Sequence, residues 1–311
     1  MQETQFATMA QEGLEEALNS FLFKHKGIYF YAGSTTPEKI DLLEQMEIRD
    51  SDMFIVAYPR SGTIWAQQVL SLILNEGHRN GSEHIDNLTR APWIEYNSYN
   101  IDFNSKKSPR LFTAQLPYYL MPKDVGFKRV KIIYLSRNPK DVLVSMYHFH
   151  ELYTQLQIKL QWETFLDLFL SGRVIGGSWF DHLRGWHTHK EDYNILFMTY
   201  EEMKKDLRSA VIKICNFLEI KLDDQALDTV VEKSSFRTMK QDPLANYEFI
   251  EKKYLDFEKG DFLRKGTVGD WKNKMTVAQS EKFDIVYKEK MKGLPLKFFW
   301  DINDEEASMI E

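Results

Sequence analysis

The sequence predicts an α/β fold, a single domain with a central parallel β-sheet flanked by helices, and three observations predict it. Short apolar, β-rich runs at residues 53–58, 130–135 and 195–200 each have the length and composition of a strand buried on both faces. Helical patterns at 64–75, 139–152, 162–170 and 178–189 alternate with them, which implies parallel strands joined by right-handed crossovers. No internal repeat, low-complexity tract or Pro/Gly/Ser-rich linker divides the 311 residues, so 1–311 reads as one domain. A hydrophobic content of 43%, with 14% aromatic residues, supplies its core.

The chain opens with Glu3, Glu12, Glu15 and Glu16, which is unlike the basic start and apolar stretch of a secretory signal. No run of about 18 apolar residues follows anywhere, so no membrane span is expected. Cys215 is the one cysteine and lies in an apolar helical pattern, as a packing residue would in a reducing, cytoplasmic setting. Asn80-Gly81-Ser82 and Asn87-Leu88-Thr89 match the glycosylation sequon but read as chance loop sequences without an export signal. A formal net charge of −6 argues against a general nucleic-acid or anionic-membrane binder, so any anionic ligand must be held by a local cluster.

The first strand runs into Tyr58-Pro59-Arg60-Ser61-Gly62-Thr63-Ile64-Trp65, a P-loop-like strand-loop-helix. The first N–H groups of a helix lack intrahelical partners and point at an anion with the helix dipole behind them. Arg60 adds charge, Ser61 and Thr63 add hydroxyl donors, and Gly62 lets the backbone approach closely. Alone, the segment also fits a β-α corner capped by serine or threonine, the lesser of the two readings. It is not a Walker A loop, because the cation precedes the glycine.

Ligands of such sheets sit beyond the carboxyl ends of the strands. The second strand ends at Ser136-Arg137-Asn138, with Ser145 two turns along the next helix, and the third ends at Tyr200. A second basic, glycine-punctuated segment, Phe262-Leu263-Arg264-Lys265-Gly266-Thr267-Val268-Gly269-Asp270-Trp271-Lys272, lies far downstream. Separately these read as solvated strand ends and a surface loop; together they suit a bound anion.

Together the three segments resemble the cytosolic sulfotransferase family, over about residues 47–301, and most of all its vertebrate amine sulfotransferase group, through Trp179-Phe180-Asp181-His182-Leu183-Arg184-Gly185-Trp186 and Trp300-Asp301-Ile302-Asn303. The resemblance implies transfer of sulfonate from 3′-phosphoadenosine-5′-phosphosulfate (PAPS), leaving 3′,5′-diphosphoadenosine, to a small hydroxyl or amine acceptor. Arg60, Ser61, Gly62, Thr63, Ile64 and Trp65 would hold the 5′-phosphosulfate, with Arg60 replacing the family's usual lysine and Trp65 stacking on adenine. Arg137, Ser145, Arg264, Lys265 and Gly266 would grip the 3′-phosphate, beside Phe262 and Leu263. Tyr200 and the run Ser234, Ser235, Phe236, Arg237, Thr238, Met239 would position adenine, with Phe236 as the opposite stacking face. Lys272, Thr276, Val277 and Glu281 match the family's dimerisation pattern and imply a homodimer; without the resemblance they read as a threonine-capped helix start.

The family's catalytic base is a histidine, and the matching stretch here is Arg110-Leu111-Phe112-Thr113-Ala114-Gln115-Leu116-Pro117. Gln115 stands at the histidine position and Thr113 at that of a nearby lysine. A carboxamide accepts no proton at neutral pH, so phenol and alcohol acceptors should suffer more than amines, which attack through a lone pair they already have. Amine acceptors are therefore favoured, with a weak or inactive member that binds nucleotide and a hydrophobic ligand as the alternative. The expected catalytic set is Arg60, Gln115 and Ser145.

The acceptor pocket should be aromatic, from Tyr29, Trp93, Thr113, Gln115, Tyr118, Tyr153 and Tyr247, with the segment 1–46 contributing; each is also an ordinary core residue. Glu95 either meets a cationic amine or stands solvated at the surface. His148 and His150 fall on different helix faces, and they, His182, His187 and His189 read as packing or surface residues. No Cys/His cluster or calcium loop occurs, so no metal is expected, and a kinase would need magnesium ligands and a phosphate-loop lysine.

Overall fold

Strand and helix alternate along the chain as the apolar periodicity requires, in a computed structural model that describes residues 18–78, 84–97, 99–154 and 160–308. The first 17 residues of the N-terminal segment and the sequon at Asn80 lie outside the described residues. The second sequon is core: Asn87 is buried and donates to the Ile64 carbonyl.

The strands are β1 (Leu22–His25), β2 (Ile28–Tyr31), β3 (Met53–Ala57), β4 (Leu111–Ala114), β5 (Lys131–Ser136) and β6 (Asn194–Thr199). The helices are α1 (Pro37–Leu42), α2 (Thr63–Ile73), α3 (Asn87–Arg90), α4 (Pro139–Leu152), α5 (Trp162–Leu170), α6 (Trp179–Thr188), α7 (Tyr200–Lys205), α8 (Leu207–Leu218), α9 (Asp224–Lys233), α10 (Phe236–Gln241) and α11 (Val277–Met291). β1 and β2 form a separate antiparallel hairpin, which the sequence pattern did not disclose.

The main sheet is parallel throughout, in the order β4-β3-β5-β6. Ile55 faces Thr113 on one side and Ile133 on the other. Successive side chains of β3 alternate between two cores: Phe54 and Val56 pack toward α4, α5 and α6, while Met53, Ile55 and Ala57 pack toward α2, α8 and α9. β4 is too short to stand out as a strand in the sequence. β6, expected to be buried on both faces, is an edge strand with Asn194 exposed and Ile195, Leu196 and Phe197 half-buried.

From β3 the chain crosses to β4 on one side, and from β5 to β6 on the other. The carboxyl ends of β3 and β5 therefore flank the switch point of the sheet, where a crevice opens. Arg60 and Arg137 follow those two strand ends.

Candidate active site

The turn after β3 is shaped by two residues in left-handed conformation, Arg60 at φ 70° and Gly62 at φ 98°. Only glycine suits the second position, since an added Cβ would stand 2.6 Å from the Tyr200 ring. The turn delivers α2 with its free N–H groups facing the crevice. Ser61 and Thr63 are buried there, and neither hydroxyl has a hydrogen-bond partner among the described residues. Unpaired buried donors of this kind mark a place for a polar ligand.

The Arg60 side chain does not extend into open space. Its guanidinium lies between the rings of Phe149 and Phe262, 4.6 and 4.7 Å from their centres, and its Nε donates to Ser145 Oγ at 3.2 Å. Burial, reinforced by Arg137 and Arg264, lowers its pKa to about 10 despite the opposing influence of Tyr31. Arg137 reaches back to the Arg60 carbonyl at 3.3 Å, covers the Tyr200 ring at 4.3 Å, and donates to the Thr267 carbonyl at 3.1 Å.

The start of α4 ties the distant basic segment to this point. Asn138 caps the helix by accepting from Asp141 N–H at 2.9 Å, and Glu201 accepts the Asn138 N–H at 2.8 Å. Asp141 then accepts from Gly269 and Trp271 N–H at 2.8 and 3.0 Å, which docks the loop carrying Arg264 and Lys265 beside Arg137. Both of those cations pair with Asp270. Although burial opposes it, their hydrogen bonds and that of Asn273 hold the Asp270 carboxyl well below the usual carboxylate range. Glu201 is buried and pushed up to about 7 by that burial, against the pull of the Asn138 N–H and Arg137.

Arg60, Thr63, Arg137, Ser145, Arg264, Lys265 and Asp270 line one end of a cavity of about 330 Å³, together with Ile64, Trp65, Tyr200, Phe236, Met239, Leu263 and Gly266, while Ser61 lies behind the lining. Trp65 is fixed by a 2.7 Å hydrogen bond from its indole N–H to the Ser234 carbonyl. Gly266 presses on the Phe236 ring so closely that a Cβ would come within 2.2 Å. A flat aromatic slot beside clustered cations and orphaned hydroxyls fits a nucleotide bearing phosphate groups.

The other end of the cavity is aromatic. Trp93, Gln115, Tyr153 and Tyr247 line it, joined by Tyr31, Tyr96, Phe149 and Tyr254, which sequence reasoning missed. Tyr31 stacks on Tyr153 at 4.7 Å. The Trp93 indole donates to Tyr247 Oη at 3.0 Å, which in turn donates to Gln67 Oε1 at 2.9 Å. Phe149 was legible in principle, being one helical turn beyond Ser145 on the same face of α4.

Several expected residues lie elsewhere. Tyr29 lines a separate cavity and has Lys24 over its ring, and the hairpin instead contributes Tyr31, two residues further along the same strand face. Thr113 is wholly buried in β4, donating to the Ala91 carbonyl and accepting from Gln67. Tyr118 stacks on His189 at 3.9 Å. Ser234 contributes its backbone to Trp65, Ser235 caps α10 by accepting from Thr238 N–H, and Arg237 is exposed. Glu95 is not a solvated surface carboxylate: it is buried, and it accepts the Gln115 backbone N–H at 2.6 Å.

None of the described histidines lines the cavity. His182 touches the backbone of a lining residue, with Nε2 at 3.2 Å from the Gln115 carbonyl and Nδ1 at 2.9 Å from Tyr134 Oη. Since a carbonyl only accepts, Nε2 carries the proton and Nδ1 accepts from the tyrosine. Burial pushes both His182 and His150 down to about 4, so both are neutral. Among the described residues no group of three or more His, Cys, Asp or Glu is placed to hold a metal ion, and no helix is long and apolar enough to cross a membrane.

Residues 50–295 match the sulfotransferase domain family. The chain is 49% identical over 290 residues to the amine sulfotransferase of Oryctolagus cuniculus, covering 93% of this chain and 96% of that protein. It is 44% identical over 296 residues to sulfotransferase 2B1 of Rattus norvegicus, covering 95% and 87%. A crystal structure of a mouse sulfotransferase complexed with PAP is similar at 34% identity and a TM-score of 0.73, over 88% of this chain and 96% of that one.

Proposed function

Because this chain belongs to the sulfotransferase family, we propose that it moves sulfonate from PAPS to a small amine, with phenols and alcohols as weaker acceptors. The observation that carries this reading is Gln115, which lines the cavity at the position matched to the family's histidine base. The likeness to an amine sulfotransferase and to a structure complexed with PAP supports it.

When bound, the donor supplies sulfonate on a phosphate leaving group. Ser61, Thr63 and the free N–H groups of α2 would hold its 5′ end, and Arg137, Arg264 and Lys265 its 3′-phosphate. The two lysine and arginine side chains paired with Asp270 would exchange part of that pairing for the phosphate. Trp65 and Phe236 would enclose the adenine. Arg60, beside Ser145, is placed to meet charge developing on the leaving side, as a planar donor that is charged at neutral pH.

At the acceptor end, Gln115 orients the attacking group and takes no proton. An amine forms its N–S bond through the existing lone pair, the S–O bond to phosphate breaks, and the amine proton leaves afterwards to solvent. A phenol or alcohol has no such route, and absence of a general base costs on the order of 10²–10⁴ in rate. The absence of any described histidine from the cavity wall also favours a second reading, a member that binds nucleotide and ligand but transfers slowly.

Labelled sulfonate transfer to a panel of amines and phenols, by the natural chain and by Gln115→His, separates the readings. Amine transfer by the natural chain is expected, with phenol transfer rising about 10²-fold in the variant. No transfer to any amine, with activity appearing only in Gln115→His, would establish the weak-member reading instead.

We also propose a homodimer through 272–281, since Val277 is largely exposed at the start of α11 while Thr276 and Gln279 close a capping box around it. The cytoplasmic setting is proposed from the family alone. The N-terminal segment is proposed as part of the acceptor wall because Tyr31, Gly33 and Ser34 line the cavity.

A further inference from the structure

The segment 92–95 runs beside the edge strand β4 as though to extend the sheet. Thr113 N–H donates to the Pro92 carbonyl at 2.9 Å, Ile94 N–H donates to the Thr113 carbonyl at 3.0 Å, and Trp93 and Thr113 form a parallel bridge. Were the ladder to continue, Gln115 N–H would meet the Ile94 carbonyl. It goes instead to Glu95 Oε1 at 2.6 Å. A side chain has replaced a strand.

Glu95 is 3% exposed, and its Oε2 has no hydrogen-bond partner among the described residues. Burial, with no cation opposing it, pushes the carboxyl up to about 8, and the hydrogen bonds from its own and the Gln115 backbone offset that only in part. Trp93, Tyr96 and Gln115 line the cavity, and Glu95 stands directly behind them. Holding one N–H does not require an acid; a glutamine would serve equally, without the cost of a buried charge.

We propose that Glu95 determines acceptor specificity through Gln115: it fixes the Gln115 backbone and gives the acceptor end a negative potential that favours a positively charged group. This rests on the amine reading: an amine drawn in as its cation gives up a proton to solvent before its lone pair attacks sulfur. In a water-poor aromatic cavity one uncompensated carboxylate acts over a longer distance than it would in solvent. The titratable groups around the acceptor end keep constant charge while it titrates. Tyr96, Tyr31 and Tyr153 are pushed up by burial and stay neutral, and His182, on the far side of Gln115 from α6, is pushed down to about 4. Arg60, lowered to about 10 by burial, stays charged.

The test is equilibrium binding to the PAP-saturated protein of benzyltrimethylammonium, whose charge is permanent, and of neopentylbenzene, its neutral isostere, between pH 6.5 and 9. The ratio of their affinities is expected to move about tenfold in favour of the cation as pH rises through about 8. In Glu95→Gln, which keeps an acceptor for Gln115 N–H, the neutral probe should bind as before and the ratio should stay flat. A pH-independent ratio in the natural chain, or a cation bound no more tightly than its isostere at pH 9, overturns the proposal without need of the variant. No turnover is involved, so failure of amine sulfonation in the acceptor panel is read separately.

Discussion

Arg110 and Asp52 show what a single pair decides far from the chemistry. Both side chains are fully buried, and the guanidinium meets the carboxylate through Nε at 2.7 Å and through a terminal nitrogen at 2.5 Å. The same arginine donates to the carbonyls of Phe103 and Glu47, so it joins the loop before β3 to the loop before β4, the strand that leads into Gln115. Bidentate geometry with every guanidinium nitrogen hydrogen-bonded is the condition under which a buried ion pair tolerates its desolvation. Asp52→Asn would leave that guanidinium buried and unpaired. A loss of about 3–5 kcal/mol in urea unfolding is expected; a change below 1 kcal/mol would mean the arginine finds solvent or another partner. At the cavity itself, Arg60 illustrates the limit of reading one residue from sequence. Its cationic role beside Ser145 follows from its place in the turn, whereas its enclosure by Phe149 and Phe262 depends on two segments over 100 residues apart.

At the scale of elements, the site is a meeting of strand ends, and glycine sets how closely they meet. Gly266 has φ 65° and lies against the face of Phe236. Gly266→Ala would strain the backbone and displace the Phe236 ring, while the loop has solvent on its other side and the core is untouched. Calorimetry is expected to show PAP binding weakened about tenfold or more with little change in Tm; unchanged affinity would remove Gly266 from the donor site. The element-level reading of the sequence succeeded where periodicity is strong. α4 and α5 fall on 139–152 and 162–170, and β3 and β5 are the apolar runs. It failed where elements are short or defined by partners. β4 has four residues, the β1-β2 hairpin turns through Lys26 and Gly27, and the strand-like segment 92–95 exists only because β4 lies beside it. The donor end was legible because its residues are contiguous motifs. The aromatic end was legible only in part: the sequence points to Trp93, Gln115, Tyr153 and Tyr247, whereas Tyr31, Tyr96, Phe149 and Tyr254 come from four separate segments and look like any aromatic core.

The whole molecule carries a pH signature set by buried groups of opposite kinds. Glu95 and Glu201 are pushed by burial from near 4.5 to about 8 and about 7, so the folded state holds protons that the unfolded chain has released. Their stabilisation is complete below 4.5 and is lost as pH rises through 7 and then 8. His150 and His182 are pushed by burial from near 6.5 to about 4, so below 6.5 the unfolded chain takes up protons that the folded state refuses. Their contribution is complete above 6.5 and is lost as pH falls toward 4. Between 4.5 and 6.5 the two carboxyls oppose these two imidazoles, which His148 and His187, also lowered by burial, reinforce to a smaller extent, and the net slope is small. Above 6.5 only the carboxyls remain, each worth about 1.4 kcal/mol per pH unit while it titrates. Unfolding free energy measured in urea is therefore expected to be nearly level from pH 5 to 6.5 and to fall from 6.5 to 8.5. Glu95→Gln should remove the upper part of that fall, near pH 7 to 8, and leave the lower part to Glu201. Stability that stays level across pH 6.5 to 8.5 would show that both carboxyls are ionised well below neutrality. Glu95 would then already be charged throughout the physiological range, and the pH-dependent selectivity argued for the acceptor end would vanish with it.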